Sequence, residues 1–115
     1  MYQVLTEMAE EQLRVSRSKG FDDGSESRLH TSEKLMLIVD EVAEAHEELR
    51  KGIPVTEVYY NADRPTKPEG LGPELADIII RTIQLAAALG IDIGAMVKLK
   101  HDYNVTRPYK HGKVC

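Results

Sequence analysis

The chain has no tryptophan, one phenylalanine and one cysteine, and aromatic residues make up only 5% of its 115 positions. With so few rings, the core must be built from Ile, Leu, Val and Ala, which suits packed helices. The lone cysteine is Cys115, so no intrachain disulfide can form, as fits a reducing cytosol. No apolar run approaches the roughly 20 residues of a membrane span. The N-terminal residues carry no signal-peptide pattern, so a cytoplasmic location with no membrane partner is expected. A broad basic surface is also missing. The net charge of −4 argues against a nucleic acid polymer, whose phosphate backbone needs one. The glycines form neither a GxGxxG turn nor a Walker loop, which argues against a dinucleotide fold and a P-loop. The four histidines, His30, His46, His101 and His111, lack metal-ligand spacing. No helix carries the Glu-x-x-His of a di-iron bundle. No serine sits in a nucleophile turn with an identifiable base.

What the chain does have is two acidic pairs at one spacing. Glu41 and Glu44 lie in VDEVAEAHEEL, and Glu74 and Asp77 lie in PELADIII. Residues three apart share a face of an α-helix, so each pair projects two carboxylates in one direction. Antiparallel packing of the two helices would gather four acidic groups at one place. Such groups repel, and burial raises the cost. A hard divalent cation with oxygen ligands resolves the conflict, most often Mg²⁺ paired with substrate phosphates.

At 42% hydrophobic and 30% charged residues, the chain reads as one domain of four helices and two long loops. A first helix is expected over about Tyr2 to Ser18, with its apolar residues only loosely at helical spacing. Lys19 to Leu29 is polar and reads as loop. A second helix runs from about Ser32 to Lys51, with Thr31 or Ser32 as its cap and Gly52 as its stop. Its stripe of Leu35, Ile38, Val42, Ala45 and Leu49 places Glu41 at the core's edge and Glu44 about 60° outward. Prolines at 54, 65 and 68 rule out a regular helix through Gly52 to Gly70, where Tyr59 and Tyr60 could line a pocket, pack on the bundle or form a short strand. The third helix has Pro73 in its first turn and ends at Gly90. Its apolar positions nearly encircle it, which implies a partner subunit covering what one chain cannot. Asp92 caps a fourth helix through about Val105. A basic tail follows Pro108.

Each signal has a plainer alternative. An acidic pair on an amphipathic helix is commonly a solvated face, and Arg81, one turn after Asp77, could simply pair with it. Glu48 falls on the side of Glu41 and Glu44, where it could be a general base or an ordinary surface residue. The tail is either solubilising or a shaped loop. From Lys98 onward, Lys98, Lys100, Arg107, Lys110 and Lys113 face only Asp102, so an acidic centre and a basic end look like two halves of one site.

Taken in order, EKLMLIVDEVAEAHEELRKG, then KPEGLGPELADIIIRTIQLAAALGIDI, then HDYNVTRPYKHGK resemble the MazG-like, all-α nucleoside triphosphate pyrophosphohydrolases over about Lys19 to Lys113. The resemblance implies an all-α, four-helix-bundle-like core over about 19–105 with a substrate-binding tail over 106–115, assembling as a homodimer or homotetramer. It implies hydrolysis of a nucleoside triphosphate to monophosphate and pyrophosphate. Glu41, Glu44, Glu74 and Asp77 would hold Mg²⁺, or Mn²⁺ in its place, and Glu44 or Glu48 would act as base. Lys98, Asn104, Arg107 and Lys113 would bind phosphate or sugar, and Tyr103 or Tyr109 the nucleoside. Lys19 and Phe21, in KGF, resemble a segment lining the nucleotide pocket. An aromatic such as tryptophan is frequent near there in the family and absent here, so base stacking is not implied. A non-catalytic helical module that senses nucleotide or only oligomerises is the alternative.

Overall fold

A computed structural model describes residues 2–21 and 28–109. In chain order these form α1 (Gln3–Ser18), α2 (Arg28–Arg50), β1 (Tyr59–Asn61), β2 (Arg64–Glu69), α3 (Leu71–Ala88) and α4 (Ile93–Val105). The protein is mostly helical, but the all-α expectation needs one correction. Within the Gly52 to Gly70 connection, β1 and β2 pair antiparallel around an Ala62–Asp63 turn. Prolines forbid a helix there but are tolerated in edge strands, and the pairing is irregular, with its register shifting between Tyr59 and Asn61.

A second correction concerns α2, which is already helical at Arg28, four residues before Ser32; residues 22–27 of the expected Lys19 to Leu29 loop lie outside the described residues. Nothing in Arg-Leu-His breaks a helix, so Thr31 and Ser32 are helical residues and not caps. Other boundaries follow local chemistry. Gly52 and Gly90 end α2 and α3 with φ of 77° and 72°, a region that favours glycine. Asp92 caps α4, its Oδ1 accepting from the Ala95 amide at 3.1 Å. The same oxygen accepts from Thr6 Oγ1 at 2.6 Å, and Thr6 Oγ1 accepts from the Gly94 amide at 3.0 Å. A methyl group on Gly94 would collide with the Tyr2 carbonyl and the Thr6 hydroxyl, so glycine lets α4 start against α1.

The central element is α3. It packs against α2 on one side and α1 on the other, and α4 returns onto α1 after a 113° bend from α3. No Cα of α1 comes within 8 Å of α2 among the described residues, so the helices make an open layer with a gap above α3 and not a closed bundle.

The core is thin. Among the described residues, those apolar and buried are Ala9 and Leu13 of α1, Ala45 of α2, and Ile83, Leu85 and Ala86 of α3. Half of each of Leu35, Val39, Val42 and Leu49 on α2, and of Leu75 and Ile79 on α3, faces outward. The radius of gyration is 16.8 Å, against about 13 Å for a compact domain of this length. No single helix among the described residues is long and apolar enough to cross a membrane.

Candidate functional site

Because α2 and α3 pack together, one face of each carries its acidic pair into their shared seam. Glu41 is only 7% exposed and Glu74 only 6%, while Glu44 is open to solvent and Asp77 is half-buried. Carboxylate oxygens of Glu41, Glu44 and Glu74 lie within 4.8 Å of one another. Asp77 stands just outside that set, close enough for its charge to act on Glu74 and for Glu41's to act on it. Oε2 of Glu41 and Oε2 of Glu74 are buried with no hydrogen-bond partner. A buried, unpaired carboxylate oxygen costs several kcal/mol unless it is protonated or finds a cation.

The electrostatics register that cost. Burial, together with a hydrogen bond to Glu44 and the charges of Glu44, Asp77 and Glu41, pushes the Glu74 carboxyl up to about 7. Burial, then the charge of Glu41, also raises Asp77, with Arg81 and Lys67 pulling the other way. An all-oxygen set of this kind could hold a hard divalent cation.

A further group, Glu48, Glu69 and Glu74, also comes within 4.8 Å, but two of its members are already partnered. Glu48, 5% exposed, accepts from Tyr59 Oη at 2.7 Å and 3.0 Å and from Lys51 Nζ at 3.1 Å. The Tyr59 hydrogen bond and then Lys51 hold its carboxyl below the usual range against the opposing effect of burial. Glu69 pairs with Lys67 at 3.3 Å. Glu48 is therefore no surface residue. It ties the base of the hairpin to α2.

Beside the acids, the gap above α3 forms a cleft of about 530 Å³, within the range of small-molecule sites. Val15, Leu37, Ile80 and Leu85 give it apolar walls, with Glu41 and Asp77 on one flank. Gln12, Ser16 and Gln84 are its neutral polar groups, Gln84 Nε2 donating to Ser16 Oγ at 3.0 Å. Lys19 and Phe21 also line it, the phenylalanine largely exposed. Sequence had singled out those two together with the acids, but not Gln12, Ser16 or Gln84. Gln84 sits seven residues beyond Asp77, on nearly the same helix face, and that spacing was the available signal.

The remaining residues singled out earlier lie elsewhere. Lys98 and Tyr103 are exposed on α4, where Lys98 pairs with Asp102 at 2.7 Å and the Tyr103 ring has Lys100 and Arg107 at 5.3 Å and 5.9 Å from its centre. Asn104, Arg107 and Tyr109 are exposed at and beyond the end of α4. None of these lines the cleft of its own chain. Lys113 lies outside the described residues. Arg81, expected beside Asp77, reaches across to α2 instead and donates to Glu41 Oε1 at 2.7 Å.

Comparison with protein-family models, with curated proteins and with solved structures finds no match.

Proposed function

We propose that the chain is a divalent-cation-dependent nucleoside triphosphate pyrophosphohydrolase of the MazG-like kind. The observation that carries this reading is the pair of orphaned, buried carboxylate oxygens on Glu41 and Glu74, gathered with Glu44 in the seam of α2 and α3 beside a cleft of nucleoside size that Glu41 and Asp77 line. Glu41, Glu44 and Glu74, with Asp77 beside them, would hold Mg²⁺, with Mn²⁺ as a substitute. Bound there, the cation supplies positive charge for the substrate's phosphate oxygens and the developing leaving group.

The chain's own groups do the rest. The apolar walls at Val15, Leu37, Ile80 and Leu85 take the base and sugar. Gln12, Ser16 and Gln84 meet the polar edge of the base. Glu44, the solvent-facing carboxylate of the set, accepts a proton from water as its oxygen bonds to the α-phosphorus. The bond from that phosphorus to the oxygen bridging to the β-phosphorus then breaks, giving nucleoside monophosphate and pyrophosphate. Glu48, its oxygens already accepting from Tyr59 and Lys51, is a positioning residue in this reading and not the base.

The half-exposed apolar residues on α2 and α3 support assembly into a dimer or larger homo-oligomer, since a surface of this kind is normally covered. Lys98, Asn104, Arg107 and Tyr109, outside the cleft of their own chain, would reach substrate only across such an interface. Sedimentation at micromolar concentration is expected to show two or more copies; a stable, folded monomer would remove this part of the proposal.

The reading is tested by pyrophosphate release from a panel of canonical and modified ribo- and deoxyribonucleoside triphosphates, with Mg²⁺ and with EDTA. Release that requires the metal is expected, and the best substrate then defines the base. Nucleotide binding with no release from any member would favour a sensing module.

A further inference from the structure

Glu41 is buried with one oxygen unpaired, yet its other oxygen is held by Arg81, a side chain 44% exposed. Arg81 reaches this acid group from α3, hydrogen-bonding Glu41 of α2. It uses its Nε–H alone, and a guanidinium carries five N–H donors. Its other four find no protein acceptor among the described residues, and the side chain lines the cleft beside Asp77 and Gln84. The Nε edge of the guanidinium is thus occupied by a carboxylate, and its other edge is not.

Two charge considerations make the pairing exchangeable. Water screens the pair at its Arg81 end, where the side chain is half open, although Glu41 itself is buried. A buried carboxylate left with no cation is costly. The acid group therefore needs some cation at all times but has no strong reason to keep this one. A divalent ion carries twice the charge and gives up no side-chain rotamer entropy.

Resting on the pyrophosphohydrolase reading, we propose that Arg81 is an exchangeable counter-ion. It neutralises Glu41 in the empty site and, once a divalent cation takes up that carboxylate, turns its planar fork to the substrate's phosphate oxygens in the cleft. The fork matches two phosphate oxygens at once, which an ammonium cannot do. Arg81 thus competes with the metal and cooperates with the triphosphate. A purely structural salt bridge would do neither.

The opposite signs are the test. Mn²⁺ binding to the full chain, followed by the loss of the free-ion paramagnetic resonance signal without nucleotide, is expected to be about five- to tenfold tighter in Arg81→Gln than in wild type. Calorimetric binding of an α,β-methylene nucleoside triphosphate with Mg²⁺ is expected to be about tenfold or more weaker. Arg81→Lys keeps the charge on Glu41 and covers the case in which the glutamine variant does not fold. It should bind Mn²⁺ within about twofold of wild type and still lose several-fold on the analogue. Unchanged or weaker Mn²⁺ binding by Arg81→Gln, or unchanged analogue binding by either variant, would overturn the exchange while leaving the enzyme reading intact. Wild-type protein that binds neither ligand would overturn both.

Discussion

Glu74→Gln protein is expected to lose Mg²⁺-dependent pyrophosphate release by at least about 100-fold and, without metal at pH 8, to melt higher than wild type by about 4 °C or more. The two effects have one source. Glu74 is 6% exposed, with an orphaned oxygen and three acidic neighbours. Its charge would serve a bound cation and burdens the fold without one. Glutamine keeps the shape, removes the charge and supplies its own donors to Glu44. Pyrophosphate release and thermal melting with EDTA read the two halves separately. Undiminished release would remove Glu74 from the site. Lower stability in the variant would show that the carboxylate is satisfied as it stands.

The second large effect is on stability against pH. An acid held at about 7 in the fold and near 4.5 in the unfolded chain keeps a proton in the native state that the denatured state has already released. Stability therefore falls as pH rises through that interval, by about 2–3 kcal/mol from Glu74. Asp77, also raised, adds in the same direction. Glu48, Asp92 and Asp102 are lowered, so their contributions are present above the ordinary carboxylate range and fade below it. Metal-free protein should accordingly be most stable near pH 5 and weaker at pH 8. Mg²⁺ should raise the melting temperature more at pH 8 than at pH 5, because at pH 5 it must displace a proton. Melting curves in EDTA that stay level or rise from pH 5 to pH 8 would contradict the protonated Glu74.

The gathering of acids was readable in the sequence because its information is local. Three-residue spacing sets Glu41 with Glu44 and Glu74 with Asp77, and the apolar stripe of α2 already placed Glu41 at the core's edge. Gly52, Gly90 and Asp92 announced their helix ends for the same reason. Partner choice across helices was not readable. Arg81 has Asp77 one turn away on its own helix, yet the α2–α3 seam brings Glu41 within reach. Only the packing decides between them. Glu48 looked like one acid in a solvated run until Tyr59, eleven residues on, bonded to it. The hairpin was hidden by its prolines, which exclude a helix without declaring a strand. The cleft draws on three elements joined only through α3, and no spacing rule reports such a gap.

The connection between the acid-bearing helices is tied at its base by Tyr59 on Glu48, and there Gly70 passes so close to the Glu57 carbonyl that a methyl group on it would collide. In polymer terms, bringing Glu74 to Glu44 is then not one long closure but a series of short ones. Pinning the base removes the hairpin from the effective loop. Closure entropy grows only logarithmically with length, about 0.6 kcal/mol per doubling. The number of residues between the two acidic pairs therefore carries little information about the site they make. What sets the geometry is the tie at the hairpin's base, and the exposed tip at Asn61 to Arg64 stands outside the constraint.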